Sequence, residues 1–310
     1  MSYDNTFLLR QLQRPTGKID VVLDTDTYNE IDDQYALSYM LFSDDKLNTQ
    51  AVYAAPFLNQ KSESPGQGME LSYKEILNVM SLCGKEEFHK VAFKGSKGYL
   101  PDETTPVESD AAHDLVKRAM DHSPENPLYV LSIAAITNVA SALLLKPEIA
   151  ERIVIVFLGG SPHHWPITPE FNLMQDVAAG RVVFGSGAPL VQLPCMGVVT
   201  HLTTTEPELR HHIKGKSPLG DYLYNITCRD ALADGGNTTW SRVIWDISTV
   251  ACLLSENFVR DSLVPAPIPT YEHGYILDPN RHLMRVAYFV NRDAIFEDIF
   301  TKIANSGKNN

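Results

Sequence analysis

The sequence has few cysteines and no long apolar run. Four of its 310 residues are cysteines, and they lie far apart, without the Cys-x-x-Cys or Cys/His spacing of a zinc site. A disulfide scaffold is therefore not expected. No window approaches the roughly 18 apolar residues of a membrane-spanning helix, and the N-terminal segment lacks the apolar stretch of a secretory signal. These absences predict a cytoplasmic protein with no membrane partner.

Positive charge is also scarce. The chain has 26 Lys and Arg against 38 Asp and Glu, a formal net charge of −12. Broad binding to nucleic acid or to anionic membranes needs a basic surface, so we expect neither as a partner. The apolar fraction of 44% is that of an ordinary globular protein. A chain this long can bury a full core without disulfides, and we predict one domain over residues 1–310.

Short apolar runs alternate with amphipathic stretches along the chain. We predict strands at 18–23, 48–54, 91–93, 128–131, 152–158, 190–193, 197–200 and 284–290. We predict helices at 33–42, 73–83, 111–121, 137–145, 176–184, 247–255 and 293–302. This alternation is typical of an α/β fold with an open, mainly parallel sheet flanked by helices. In such folds ligands bind beyond the carboxyl ends of the strands.

Four aspartates directly follow the first predicted strand: Asp24, Asp26, Asp32 and Asp33. Ionised carboxylates this close repel one another, and burying them unpaired is costly. A helix N-terminus after Asp32 offsets part of the repulsion, and a bound cation would offset the rest. Oxygen ligands indicate calcium or magnesium rather than zinc. The alternative is that Asp32 only caps the helix while the other three face solvent.

A phosphotransferase of the haloacid-dehalogenase type would also open with Asp-x-Asp after a strand. Here Tyr28 occupies the expected threonine position, and the acidic pair Asp32-Asp33 follows at once instead of lying far downstream. We therefore disfavour that interpretation.

Four segments together resemble the nucleoside hydrolases, the inosine–uridine-preferring family and its relatives. They are Asp24-x-Asp26 with Asp32-Asp33, residues 131–140, Glu170-Phe171-Asn172, and Trp245-Asp246. The resemblance covers nearly the whole chain and implies an open α/β fold with a Rossmann-like core. It also implies hydrolysis of the N-glycosidic bond of ribonucleosides with a tightly held Ca2+ ion, and a homodimer or homotetramer.

The resemblance also implies roles for individual residues. The implied calcium ligands are Asp26, Asp33, the backbone carbonyl near Ile133, and Asp246. Asp26 would also take a proton from the attacking water, with Asp24 supporting the ligands from behind. The implied contacts to ribose hydroxyls come from Asp32, Asp246, Glu170 and Asn172, with Asn59 as a looser match.

The sequence departs from the family pattern at three places. The loop at residues 27–31 is longer, which brings Tyr28 and Asn29 near the pocket. Trp245 precedes the last aspartate, where the inosine–uridine group has a histidine as leaving-group acid. An indole cannot donate that proton, but it can stack on a purine, as in the purine-specific branch, or simply pack in the core. His164 occupies a loop position where an asparagine ribose contact is expected, so it is a candidate substrate contact.

Three functions are compatible with these residues. The first is a calcium-dependent ribonucleoside hydrolase that leans towards purines and acts on a small ribosyl substrate. The second is a hydrolase of a non-nucleoside glycoside or a modified ribosyl compound, which the longer loop motivates. The third is a sugar-binding protein without turnover, which the intact aspartates disfavour.

Overall fold

An eight-stranded sheet forms the centre of the computed structural model, which describes residues 5–166, 169–233 and 239–306. The strands of these residues are β1 (Ile19–Thr25), β2 (Leu47–Ala54), β3 (Ala92–Lys94), β4 (Leu128–Ser132), β5 (Ile153–Leu158), β6 (Leu190–Leu193), β7 (Thr203–Thr204), β8 (Arg242–Val243), β9 (Val259–Pro265), β10 (Ile268–Pro269), β11 (Tyr275–Ile276) and β12 (Leu283–Val290). The sheet order is β3-β2-β1-β4-β5-β6-β12-β9. All neighbours are parallel except β12 and β9, which confirms the predicted fold class.

Helices cover both faces of this sheet. Within the described residues they are α1 (Asn5–Gln11), α2 (Asp33–Leu41), α3 (Pro65–Leu82), α4 (Asp110–Met120), α5 (Thr137–Leu145), α6 (Phe171–Gln175), α7 (Val177–Gly185), α8 (Glu206–His212), α9 (Pro218–Ala233), α10 (Ile247–Leu254) and α11 (Arg292–Asn305). None of the helices in this part of the chain is long and apolar enough to cross a bilayer.

Two hydrophobic cores lie on opposite faces of the sheet. Along β1, Val21 and Leu23 belong to one core and Val22 to the other, because successive side chains of a strand point to opposite faces. All three side chains are fully buried. Burial on both faces explains why Val21, Val22 and Leu23 form an unbroken apolar run in β1, directly before Asp24.

The strand order reverses direction at β1. The chain adds β2 and β3 on one side of β1 and then places β4, β5 and β6 on the other. This switch opens a crevice at the carboxyl ends of β1 and β4, the usual ligand site of an open α/β sheet. Residues 24–33 and 133–136 therefore border the candidate site.

Candidate metal and substrate site

Three buried aspartates meet at the end of this crevice. Asp32, Asp33 and Asp246 each contribute a carboxylate oxygen, and these three oxygens lie within 4.8 Å of one another. Asp33 begins α2, whereas Asp246 directly precedes α10, so the cluster joins segments more than 200 residues apart. Burial and the neighbouring aspartates raise the pKa of both Asp32 and Asp246. Protonation relieves such mutual repulsion at low pH, and a bound cation would relieve it at higher pH.

Asp32 does not cap the helix that it precedes. Its side chain makes no hydrogen bond to the first turn of α2. Its Oδ2 instead accepts hydrogen bonds from the backbone N–H groups of Trp245 (3.0 Å) and Asp246 (3.3 Å). The capping alternative is therefore wrong, and Asp32 fixes the start of α10 against the start of α2.

Asp26 lies beside the three clustered aspartates and has an unsatisfied oxygen. Its Oδ2 is buried and has no hydrogen-bond partner. Burial and the charge of Asp33 raise the pKa of Asp26, while burial raises the pKa of Asp33 to about 6 against an opposing hydrogen bond from Thr25. An orphaned carboxylate oxygen next to three others is the donor set that a hard cation prefers. The residues present thus fit a metal ion.

Asp24 lies behind the clustered carboxylates. It is fully buried and accepts hydrogen bonds from Asn138 Nδ2 at 2.8 Å and Ser132 Oγ at 3.1 Å. Burial raises its pKa to about 7. Asp24 is not among the described residues that line the cavity, so the structure places it behind the site, where the resemblance put it.

A cavity of about 220 Å³ opens onto the carboxylates. The predicted site residues that line it are Asp26, Asp32, Asp33, Ile133, Glu170, Asn172, Trp245 and Asp246. Sequence reasoning missed Glu30, Cys195 and Met196, which line it as well. Glu30 could have been predicted from its position inside the lengthened loop. Cys195 and Met196 come just after β6. Because ligands of this fold bind beyond the carboxyl ends of the strands, both residues could have been predicted.

Asn59 and His164 lie outside the cavity lining formed by the described residues. Asn59 Nδ2 donates to Asn29 Oδ1 at 2.7 Å, so Asn59 reaches the cavity only through Asn29. His164 is exposed, while its neighbour His163 bonds Gln192 at 2.7 Å, away from the carboxylates. The structure therefore does not bring these two predicted contacts to the site.

Trp245 lies between the core and the cavity. Its partly buried indole packs against one hydrophobic core and also forms part of the cavity wall. An aromatic face beside a sugar site can stack on a planar base.

Glu170 organises the opposite wall of the cavity. Its carboxylate accepts hydrogen bonds from the backbone N–H groups of Gly160 (2.6 Å), Asn172 (2.9 Å) and Leu173 (3.0 Å). The Cys195 thiol donates a further bond. Burial raises the pKa of Glu170, although these four bonds act in the opposite direction. With so many bonds to protein, Glu170 mainly fixes the wall on which Asn172 is presented.

Gly160 makes this arrangement possible because its backbone is left-handed, with φ of 70°. A Cβ at this position would lie 2.1 Å from the Tyr275 hydroxyl and 3.0 Å from Gln192 Nε2. We expect Gly160→Ala to lower the free energy of unfolding by about 3 kcal/mol, through backbone strain and overpacking. Urea unfolding measures this loss of unfolding free energy. Gly185→Ala is the matched control, since nothing lies within 4 Å of a Cβ there; equal effects of both variants would contradict the prediction.

Comparisons with known proteins agree with the resemblance. Pyrimidine-specific ribonucleoside hydrolase RihA of Escherichia coli O1:K1 / APEC is 35% identical over 173 residues, which cover 48% of this chain and 55% of the relative. The chain thus spans about half the length of the curated relatives it matches. The purine-preferring ribonucleoside hydrolase from Gardnerella vaginalis superposes with a TM-score of 0.73 at 18% identity, covering 94% of this chain and 100% of that one.

A plant nucleoside hydrolase, the PpNRh1 enzyme, gives a TM-score of 0.72 at 17% identity over 94% of this chain and 99% of its own. At sequence identities this low, the two structural matches show a shared fold. The profile of the family described as inosine-uridine preferring nucleoside hydrolase matches residues 21–297. Because that match covers most of the chain, the predicted family is confirmed: this protein belongs to the inosine-uridine preferring nucleoside hydrolases.

Proposed function

We propose that this protein hydrolyses the N-glycosidic bond of ribonucleosides, using Ca2+ and favouring purines. The observation that carries the proposal is the cluster of Asp32, Asp33 and Asp246, with the unsatisfied oxygen of Asp26, in the lining of a cavity of about 220 Å³. A binding protein for a neutral sugar has no need of so many buried acids. The Trp245 indole in the wall supports the preference for purines.

The ion would be held by Asp32, Asp33 and Asp246, with Asp26 and the backbone near Ile133 as further oxygen donors. An all-oxygen set of this kind suits calcium better than zinc. When bound, the ion supplies positive charge that makes water easier to deprotonate and that attracts vicinal hydroxyl groups. In the family pattern Asp32 contacts only the sugar. Its place in the carboxylate cluster supports a second role as a ligand.

The protein's own side chains activate the water and stabilise the transition state, while the departing base takes its proton from solvent. Asp26 accepts the proton of the attacking water, because its free Oδ2 faces no protein donor. As the C–N bond breaks, the sugar becomes oxocarbenium-like, and the surrounding carboxylates stabilise that positive charge. Asn172 orients sugar hydroxyls from the wall that Glu170 holds in place, which keeps the anomeric carbon over Asp26.

A modified ribosyl compound is the second candidate substrate. The longer loop at residues 27–31 borders the sugar cavity and also a second cavity, and Glu30 lines both. That extra space favours an aglycone larger or more polar than an unmodified base.

Release of free ribose tests the proposal directly. The purified protein with calcium is incubated with inosine, guanosine, adenosine, uridine and cytidine, and reducing sugar is measured over time. We expect turnover that is fastest on a purine nucleoside and that stops when a chelator is added. Inactivity on all five nucleosides with calcium present would reject the function. Turnover that resists chelation would reject only the metal.

A further inference from the structure

A second cavity of about 460 Å³ adjoins the sugar cavity. Glu30 lines both, so the two spaces meet at its side chain. Ile31 and Ile226 give the second cavity apolar walls, whereas Gln34, Glu75 and Tyr222 supply polar groups. A glycoside whose sugar occupies the first cavity has room to extend its leaving group into the second.

The buried polar side chains that line this cavity are Gln34 and Glu75. Glu75 is buried and accepts from the Tyr222 hydroxyl, from Asn78 Nδ2 at 3.2 Å, and from Gln34 Nε2 at 3.5 Å. Because an ionised carboxylate can only accept, the amide of Gln34 turns its nitrogen towards Glu75. Its Oε1 is then left buried without a hydrogen-bond partner, although Gln34 is only 4% exposed.

The donors of the cavity are few or already used. The Tyr222 hydroxyl is committed to Glu75, and Lys61 Nζ donates to the carbonyl of Asn29 at 2.7 Å. Arg229 is exposed at the rim. Asp230, a further acceptor, lines the same wall and binds Arg242 at 2.8 Å. Gln34 Oε1 is nevertheless unpaired, so no donor of the described residues that line this cavity, the exposed Tyr28 hydroxyl and Arg229 included, reaches it.

We propose that the far edge of the aglycone, beyond the part that stacks on Trp245, reaches this second cavity, and that the cavity selects aglycones that carry an amino group there. This inference rests on the proposed function. An exocyclic amino group offers two N–H donors, which match Gln34 Oε1 and the Glu75 carboxylate. A carbonyl group in the same place would set lone pairs against those acceptors and leave Gln34 Oε1 unpaired, which is unfavourable in a buried site.

Matched nucleoside pairs test the selection. Cytidine and uridine differ by an amino group against a carbonyl, as do adenosine and inosine. We expect wild-type kcat/KM to be about tenfold higher for the amino member of each pair that is hydrolysed, as one buried hydrogen bond would give. Gln34→Leu removes the unpaired acceptor at similar volume. Glu75→Gln replaces carboxylate with amide. Each is expected to reduce the amino-to-carbonyl ratio to near one.

Tyr39→Phe is the matched control, because Tyr39 lies on the same helix as Gln34 but donates to Asp298, away from both cavities. It should keep the wild-type ratio, and thermal unfolding checks that all variants are folded. If wild type hydrolyses nucleosides but shows no amino preference, or if neither variant changes the ratio, the inference is wrong and the hydrolase function stands. If wild type hydrolyses none of the four and not guanosine either, the function itself fails; activity on guanosine alone would contradict the inference, because adenosine carries the amino group and would not be accepted.

Discussion

Asp26→Asn is expected to lower kcat by about 1,000-fold, in the range that loss of a positioned general base produces. The substitution keeps the size of the side chain and one oxygen, but the amide cannot take a proton from water. Asp26 is the residue in this group whose free oxygen has no protein donor to satisfy it. Single-turnover rates of ribose release, measured with saturating nucleoside and calcium, report the loss.

Two comparisons separate loss of the base from loss of the ion. Calcium binding by calorimetry should weaken far less in Asp26→Asn than in Asp33→Ala, since the asparagine keeps one oxygen donor whereas the alanine removes a whole carboxylate from the three-oxygen cluster. Asp45→Asn removes an exposed carboxylate before β2 and should leave kcat unchanged. A kcat for Asp26→Asn within fivefold of wild type would show that another group takes the proton.

The fold and the metal cluster were largely predictable because both follow from local patterns. Strand segments buried on both faces are continuously apolar, so β5 and residues 21–23 of β1 stand out in the sequence. Their carboxyl ends then direct attention to Asp24 and its neighbours, and crowded acids there demand a cation. The predicted strand at 190–193 and helix at 137–145 have the bounds found in the structure.

Other predictions of secondary structure were wrong for identifiable physical reasons. Residues 197–200 are not a strand: Gly197 has φ of 79° and the chain turns into a short 3-10 helix at Val199–His201. The apolar content of this stretch resembles a strand, but it is too short for periodicity to distinguish the two. Helix α9 was missed because Gly220 and Thr227 occupy buried positions of its inner face, which hides the apolar stripe.

The cavity lining that would contact the substrate was the least predictable part, because its side chains come from distant segments of the chain. That Asp32 would bond the backbone of Trp245 follows only from the packing of α2 against α10. His164 follows the right strand, yet its loop turns outward and leaves the ring exposed. Sequence spacing indicates which residues come near the crevice, but not which way their side chains point.

Calcium is expected to raise the melting temperature strongly at about pH 8 and weakly at about pH 5. In the metal-free protein the pKa of Asp24 is raised to about 7 and that of Asp33 to about 6, both chiefly by burial. Acids with raised pKa in the folded state bind protons more tightly when folded. Their contribution to stability is therefore present at low pH and is lost as the pH rises from about 4 to about 7.

Chelated protein should consequently melt about 5 °C lower at pH 8 than at pH 5. Calcium at about 100 times its dissociation constant should restore a similar amount at pH 8. At pH 5 protons compete for the same oxygens, so calcium adds less. Differential scanning fluorimetry in both buffers, with and without chelator, measures these shifts. Asp33→Asn removes one charge from the cluster, and it should melt higher than wild type when chelated at pH 8 but gain little from calcium. Equal calcium shifts at the two pH values would mean that these carboxylates do not hold the ion.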